Sequence, residues 1–295
     1  MFDFLKKLFL PITATLDFIT KYFKTIVFLT ILYFIFFNAP NEEGIKTELA
    51  NLQKIDLSGP IIDVSKVLEN IEKAKKDEHI KGVLFVVDSP GGAVAPSVEV
   101  AYAIKELSSV KPVVTYASGV IASGSYYASI WSNKIIANPG SIVGSIGVIM
   151  QGFEAGQLLE KIGINAQTVK AGKYKESGTP TRKWTDFEEK QLQSVINDTY
   201  NMFISDVSSA RKLDVKNHTI YADAKIFTSK QAKEVGLVDE VATLSFAKDS
   251  LVELSKVQKP VWKKEDKFEK FMDKFMSEAI SKISIAFSNQ LKAVL

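Results

Sequence analysis

Residues 111–137 read KPVVTYASGVIASGSYYASIWSNKIIA and contain the features that decide the fold. Apolar runs at Val113–Ala117 and Lys134–Ala137 are typical of strands that are buried on both faces of a parallel sheet. Between them, the IASGS of residues 121–125 leads into a predicted helix at Ser123–Trp131. The amides at a helix N-terminus are unpaired, and their dipole favours negative charge. The stretch therefore predicts an α/β unit in which Ser123 is a candidate nucleophile.

The same alternation of strands and helices continues on both sides of this stretch. Further strands are predicted at Leu52–Leu57, Gly82–Val87 and Ala166–Lys170. Further helices are predicted at Val64–Lys76, Pro96–Leu107, Gly156–Ile162 and Lys230–Val235, and a long helix is predicted to open at Thr185. This order implies βαβ crossovers, so we expect one α/β domain over residues 52–258.

Composition excludes several kinds of function. The net charge of the 295 residues is only +3, which disfavours nucleic acid as a partner. The chain has no cysteine, which rules out disulfides, thiolate metal sites and a cysteine nucleophile. Its two histidines, His79 and His218, lie in polar stretches typical of surfaces or turns. We therefore expect no metal, no cofactor and no Ser-His-Asp triad.

The N-terminal residues predict a membrane anchor. Residues 25–40, TIVFLTILYFIFFNAP, carry no charge, and they follow a lysine-containing segment at residues 1–24. The polar linker at residues 41–51 contains the first acidic pair after the apolar run. Lysine before a span and acid after it place the N-terminus in the cytoplasm and the domain outside it. A cleaved signal peptide or a buried core helix is the alternative.

The last segment, residues 259–295, predicts an amphipathic helix. Its apolar residues recur every three or four positions, at Phe268, Phe271, Phe275, Ala279, Ile280, Ile283, Phe287 and Leu291. Such a stripe faces an apolar partner, and we expect this to be another subunit or the membrane surface. Packing against its own subunit is the alternative.

A second motif supports chemistry at Ser123. The SPGG of residues 89–92 directly follows a predicted buried strand, and its glycines allow backbone amides to approach a ligand closely. The amides of Gly92 and Gly124 could both donate to the oxygen that becomes negative when a serine attacks a carbonyl. With histidine disfavoured, the base would be a lysine whose pKa is lowered by burial or by nearby positive charge. Composition alone does not select which lysine.

Several motifs together resemble one known family. They are DSPGG at residues 88–92, ASGSYY at 122–127, GSIGV at 144–148, KYKESGTP at 173–180 and ADAKIFTSKQAKEVGLVDEV at 222–241. In this order they resemble the signal peptide peptidase A family of bacterial membrane-anchored serine peptidases, also called protease IV, in its short, single-unit form. The similarity runs from Leu52 to Val241.

The resemblance implies a crotonase-like or Clp-protease-like α/β fold of repeated ββα units, with a Ser-Lys dyad. By motif match, Ser123 is the nucleophile, Lys175 the general base and Ser145 the residue that orients the lysine. Gly92 and Gly124 match the oxyanion donors. Lys173 is the rival base, but Lys175 has the family's spacing to Pro180. Ser125 stands where a second glycine is common; we interpret it as a helix-end or packing hydroxyl, which could also narrow the cleft.

The resemblance also implies a substrate, a location and an assembly. The protein would be a single-pass protein of the bacterial inner membrane, with its catalytic domain outside the cytoplasm. There it would degrade cleaved signal peptides and other hydrophobic peptides in contact with membrane lipid. In short forms the dyad comes from neighbouring subunits of a homo-oligomeric ring. Two alternatives are a catalytically silent scaffold of the same fold and a crotonase-type acyl-CoA enzyme.

Overall fold

A computed structural model describes residues 18–33 and 49–264. The chain forms two units, Met1–Glu48 and Leu49–Leu295. In the first unit, residues 18–33 form helix α1, whose apolar side chains are mostly exposed. Across these two described ranges, no helix has both the length and the apolar character that a membrane crossing requires. The predicted anchor and linker extend beyond the described residues, as does nearly all of the predicted C-terminal helix.

The second unit is built on a largely parallel sheet. Within residues 49–264 its strands are β1 (Leu52–Ser58), β2 (Gly82–Ser89), β3 (Val113–Ala122), β4 (Lys134–Ala137), β5 (Ile142–Gly144), β6 (Ile226–Thr228) and β7 (Glu240–Val241). The main order is β1-β2-β3-β4-β7, and all of these pairs are parallel. The far end of β3 pairs with β5, which pairs in turn with the antiparallel β6. The mixed α/β architecture and the parallel sheet agree with the expected fold class.

Helices cover both faces of this sheet. They are α2 (Ser65–Lys76), α3 (Val94–Val110), α4 (Gly124–Ser129), α5 (Gly156–Lys161), α6 (Asp186–Arg211), α7 (Ser229–Glu234) and α8 (Leu244–Ser255), with a 3-10 helix at Val215–Ile220. On one face, Leu84 and Val114 pack against Leu251 of α8. On the other face, Phe85 and Val87 join the larger core that includes residues of α2, α3, α4, α6 and α7. Strand β2 is thus buried on both faces, as its continuous apolar sequence predicts.

The predicted elements differ from the structure in instructive ways. Strand β4 has the predicted bounds, whereas β3 continues five residues past Ala117, to Ala122. The predicted strand at Ala166–Lys170 is wrong, because these residues form no strand and are exposed. A strand needs a neighbouring edge with which to exchange hydrogen bonds, and in the described single chain this segment has none. Val169 is fully exposed there, at 104% of its reference area.

Three polar contacts fix the positions of α4 and α6 at the end of β3. The hydroxyl of Tyr126 in α4 donates to the carbonyl of Leu237 at 2.8 Å. At the end of α6, the buried Arg211 guanidinium pairs with Asp239 at 2.7 Å, and Asp239 also accepts a hydrogen bond from the amide of Ile135 in β4. Because buried polar groups are costly unless paired, these contacts define the positions of α4 and α6 relative to the sheet.

Candidate active site

Ser123 lies at the junction between β3 and α4, as the sequence predicts. Its backbone has φ 53° and ψ −124°, in the positive-φ region that residues other than glycine rarely adopt. Its amide donates to the carbonyl of Gly144 at 2.8 Å, and its own carbonyl accepts from the amide of Tyr127 at 3.0 Å. These bonds fix a sharp strand-to-helix turn and leave the side chain partly exposed. Strained backbone of this kind is concentrated at functional sites.

The glycine loop after β2 lies directly against this turn. Gly91 has φ 92°, and a Cβ added there would lie 2.6 Å from the amide nitrogen of Gly124. A Cβ on Gly92 would lie 2.2 Å from the carbonyl oxygen of Ile61, which pairs with the loop as a short parallel bridge. Neither position can therefore carry a side chain without movement of the backbone. The two glycines of the SPGG motif are explained by this close approach.

The amides of Gly92 and Gly124 converge near Ser123. A Cβ added to Gly124 would lie 3.4 Å from the amide nitrogen of Gly92. Among residues 49–264, neither amide has a protein acceptor. Two unpaired amides beside one hydroxyl can hold the negative oxygen of a tetrahedral intermediate. The structure thus brings together three of the residues that the sequence singled out.

Ser125 is a packing hydroxyl, as interpreted from the sequence. Its side chain is fully buried, and its hydroxyl donates to the carbonyl of Ser89 at 2.6 Å while accepting from the amide of Ala122 at 2.9 Å. The expectation that Ser125 narrows the cleft is wrong, because the hydroxyl serves buried backbone groups of β2 and β3. Ser125 instead ties the nucleophile turn to the glycine loop.

A small apolar cleft, with a volume of about 30 Å³, opens beside Ser123. Its walls include Val94 and Val98 of α3, Met202 and Phe203 of α6, and Val148 of the GSIGV motif. Val94 and Val98 share one helix face, but nothing in the sequence indicates that this face borders Ser123. These cleft residues could therefore not be identified from the sequence. Such walls suit an apolar side chain of a bound substrate.

Tyr127 lies between the cleft and the hydrophobic core and contacts both. It lines the cleft, and its ring packs edge-on against Phe203 with ring centroids 4.8 Å apart. Its hydroxyl donates to the carboxylate of Asp206 in α6. Burial and the negative charge of Asp206 raise the pKa of Tyr127, so the hydroxyl stays protonated at neutral pH. Tyr127 therefore fixes α6 as the wall of the cleft.

Ser145 lies next to the nucleophile turn. It directly follows Gly144, whose carbonyl accepts from the amide of Ser123. Its own φ is 49°, and its amide donates to the carbonyl of Lys225 at 2.7 Å. The backbone of Lys225, just before β6, thus holds Ser145 in position through this hydrogen bond. Ser145, which the motif match assigns to orienting the base, therefore lies close to Ser123.

The predicted base lies apart from this cluster. Lys175 belongs to a turn at residues 171–178, and its side chain is exposed and is not among the residues that line the cleft. Within the described part of this single chain, its ammonium has no hydrogen-bond or ion-pair partner. The rival Lys173 stacks its ammonium over the ring of Phe187 at 4.5 Å. One chain alone therefore does not bring Ser123 and Lys175 into contact.

The two histidines lie away from the cleft. His79 is exposed in the turn after α2, where it contacts Asp77. His218 lies in the 3-10 helix beside Tyr200. Neither lines the cleft at Ser123. This placement agrees with the expectation that histidine is not the base. Among the described residues, no group of three or more His, Cys, Asp or Glu is arranged to hold a metal ion.

Comparison with known proteins identifies the family. The profile of peptidase family S49 matches residues 105–258, which is more than half of the chain. A protein of Methanocaldococcus jannaschii named "Putative protease" is 43% identical over 67% of this chain and 64% of its own length. The "Putative signal peptide peptidase SppA" of Enterococcus faecium is 34% identical over 72% of this chain and 67% of its own length.

A plant relative extends the comparison to a named serine protease. The chloroplastic "Serine protease SPPA" of Arabidopsis thaliana is 33% identical over 64% of this chain, which corresponds to 28% of its own length. The chain therefore spans only part of several of its relatives. These matches confirm the family resemblance of the sequence motifs, and the chain belongs to peptidase family S49.

Proposed function

We propose that this protein is a membrane-anchored serine endopeptidase that uses a Ser123-Lys175 dyad to degrade cleaved signal peptides and other hydrophobic peptides. Membership of peptidase family S49 supports a serine protease. The observation that carries the chemistry is the strained Ser123 turn, where the unpaired amides of Gly92 and Gly124 border an apolar cleft. This arrangement suits acyl transfer from a peptide that presents an apolar side chain.

In the proposed mechanism, the neutral amine of Lys175 removes the proton from the Ser123 hydroxyl. The alkoxide attacks the peptide carbonyl, and the amides of Gly92 and Gly124 donate to the resulting oxyanion. The lysine ammonium then gives its proton to the leaving amine. A water molecule, activated by the same lysine, hydrolyses the acyl ester and regenerates the serine hydroxyl.

Lys175 is favoured over Lys173 by their surroundings as well as by the motif. The ammonium of Lys173 contacts the ring of Phe187 at 4.5 Å within its own chain, whereas the ammonium of Lys175 has no such partner among the described residues. Movement to Ser123 would cost Lys173 this contact and would cost Lys175 none.

We infer that Lys175 reaches Ser123 of a neighbouring copy in a ring. The segment from Ile149 to Lys175 carries large apolar side chains into solvent in the single chain. Ile149 is 82% exposed and Phe153 is 80% exposed. Exposed apolar surface of this extent on one segment is typical of an interaction site. A second copy packed against residues 149–175 would bury these side chains and would bring Lys175 close to its own Ser123 cleft.

We also infer a location at the membrane. The uncharged residues 25–40, lysine before them and acid after them support an anchor with the domain on the extracytoplasmic side. This placement would keep the cleft near peptides released in the bilayer, and the apolar cleft walls fit such substrates. It would also separate the domain from cytoplasmic acyl-CoA, which disfavours the crotonase-type alternative.

A substrate test follows from this proposal. The purified full-length protein in detergent micelles is expected to degrade a synthetic signal peptide and to leave the same sequence intact within its folded precursor. Cleavage needs an extended segment that can enter the cleft, which the precursor does not offer. Mass spectrometry of the products is the measurement. Equal cleavage of peptide and precursor, or no cleavage of either, would contradict the proposed substrate class.

The oxyanion site can be tested through Gly124. A Cβ on this residue would lie 2.2 Å from the hydroxyl oxygen and 3.0 Å from the Cβ of Ser97, so Gly124→Ala must move either Ser97 or the turn that holds the amide. We expect a loss of about 10²- to 10³-fold in kcat for peptide hydrolysis, the usual effect of losing one oxyanion donor. Gly140→Ala is the matched control, because its new Cβ would make only an ordinary contact, at 3.5 Å. Wild-type kcat in Gly124→Ala would remove this amide from the mechanism.

A further inference from the structure

The loop that carries Lys175 is joined to the start of α6 by an ion pair between the partly exposed Arg182 and the buried Glu188. The Glu188 side chain is fully buried, and each of its carboxylate oxygens accepts a hydrogen bond from Arg182 at 2.9 Å. The backbone amide and the hydroxyl of Thr185 also donate to Glu188, at 2.9 and 2.8 Å. Thr185 and Glu188 form the N-terminal capping box of α6, and the bidentate pair with Arg182 adds to it at the same carboxylate. Arg182 is therefore held in one orientation.

The same arginine reaches the residue that follows Lys175. The carboxylate of Glu176 accepts from Arg182 at 3.0 Å and from the ammonium of Lys170 at 2.6 Å. Hydrogen bonds from Lys170, Arg182 and Thr168 lower the pKa of Glu176 to about 2. Glu176 is thus ionised throughout the neutral range, and its carboxylate faces the charged groups of Lys170 and Arg182.

This arrangement bears on the chemistry of the adjacent lysine. A carboxylate close to a lysine favours the ammonium form, whereas a base in the proposed mechanism must be the neutral amine. Glu176 is the immediate sequence neighbour of Lys175, so a freely rotating carboxylate at this position could approach it. The two bonds to Lys170 and Arg182 prevent that approach in the described loop.

We propose that Lys170 and Arg182 are positioning residues that hold the Glu176 carboxylate away from Lys175 and so keep Lys175 available as a neutral base. This inference rests on the proposed role of Lys175. The charged groups around Glu176 are Lys170 and Arg182 from the same loop region and, through Arg182, Glu188 from α6. The ammonium of Lys173 lies over the ring of Phe187 and does not pair with Glu176.

Lys170→Met is the variant that tests the proposal. Removal of Arg182 would leave the buried carboxylate of Glu188 unpaired and would endanger the fold, whereas Lys170 is partly exposed. Release of Glu176 stabilises the ammonium form of the base, so the acidic limb of kcat/KM against pH should move to higher pH. We expect a shift of about half a pH unit, below the full effect of an adjacent opposite charge because the site is solvated.

A second variant separates this mechanism from the simple loss of a positive charge. Glu176→Gln alone should leave the acidic limb almost unchanged, because in the wild type Lys170 and Arg182 already hold the carboxylate away from Lys175. In the Glu176→Gln background, Lys170→Met should shift the limb much less than it does in the wild type, because no carboxylate remains to be released. Lys190→Met removes an exposed lysine of α6 that makes no contact with Glu176, and it serves as the matched control.

Each outcome of these measurements is decisive. Equal shifts from Lys170→Met in both backgrounds would mean direct repulsion between lysines and would overturn the proposal. An unchanged profile in Lys170→Met would overturn it as well. Failure of the proposed function is recognised separately, since Lys175→Ala would then keep its activity. An unchanged sedimentation profile of each variant shows that any shift in pH does not arise from altered assembly.

Discussion

Replacing Ser123 with alanine is expected to reduce the hydrolysis of peptides and esters by a factor of about 10⁴ to 10⁶, as loss of a nucleophile does in other serine peptidases. In the proposed mechanism the hydroxyl oxygen of Ser123 forms the acyl ester, and the described cleft offers no equivalent hydroxyl. The neighbouring Ser97 and Ser125 are buried, and their hydroxyls are bonded to backbone carbonyls. The measurement is kcat/KM on a chromogenic ester and on a peptide.

The fold of this variant should be unchanged. Alanine keeps the Cβ of serine, so it meets the same positive φ and the same backbone hydrogen bonds to Gly144 and Tyr127. Ser109→Ala is a suitable control, because Ser109 lies exposed on α3 and its hydroxyl contacts only its own helix. Ester hydrolysis by Ser123→Ala at more than a few per cent of the wild-type rate would assign the nucleophile to another residue.

Replacing Lys175 with alanine should have an effect of similar size, about 10³-fold or more, because an unassisted serine hydroxyl is a weak nucleophile at neutral pH. Partial activity should return at high pH, where hydroxide in solvent can take over part of the role of the base. The matched control is Lys173→Ala, which removes the neighbouring lysine that contacts Phe187. Full activity of Lys175→Ala together with an inactive Lys173→Ala would show that Lys173, and not Lys175, is the general base.

Mixing the two inactive variants tests where the dyad forms. If Ser123 and Lys175 meet across a subunit boundary, a ring assembled from Ser123→Ala and Lys175→Ala protomers contains some intact pairs. Random assembly in equal amounts should restore about a quarter of the wild-type sites when each site takes one residue from each of two neighbours. No recovery, despite mixed assembly shown by mass spectrometry of tagged subunits, would place both residues in one protomer.

The central strands were predictable from the sequence because burial on both faces leaves a continuous apolar signature. Strand β2 packs Leu84 against α8 and Phe85 against the opposite core, so consecutive residues must both be apolar. The short strands β5, β6 and β7 carry no such signature. They are two or three residues long and exist only because a neighbouring strand pairs with them. The same dependence explains why Ala166–Lys170, with suitable residues but no partner, forms no strand.

The candidate site was predictable only where it is local. Ser123 and its flanking Gly124 lie at one strand end, and Gly92 follows the next strand of a parallel sheet, so their proximity follows from the topology. The cleft walls from α3 and α6 could not be deduced, because their apolar residues resemble any helix face packed on a core. Lys175 could be selected only through the family motif, and its exposed position in one chain explains why.

The most direct test of this account is to label the purified full-length protein with a serine-reactive fluorophosphonate and to map the modified residue by mass spectrometry. We expect a single label on Ser123, with labelling strongly slowed in Lys175→Ala and unaffected in Lys190→Ala. A label on another serine, or equal labelling of Ser123 with and without Lys175, would contradict the Ser123-Lys175 dyad.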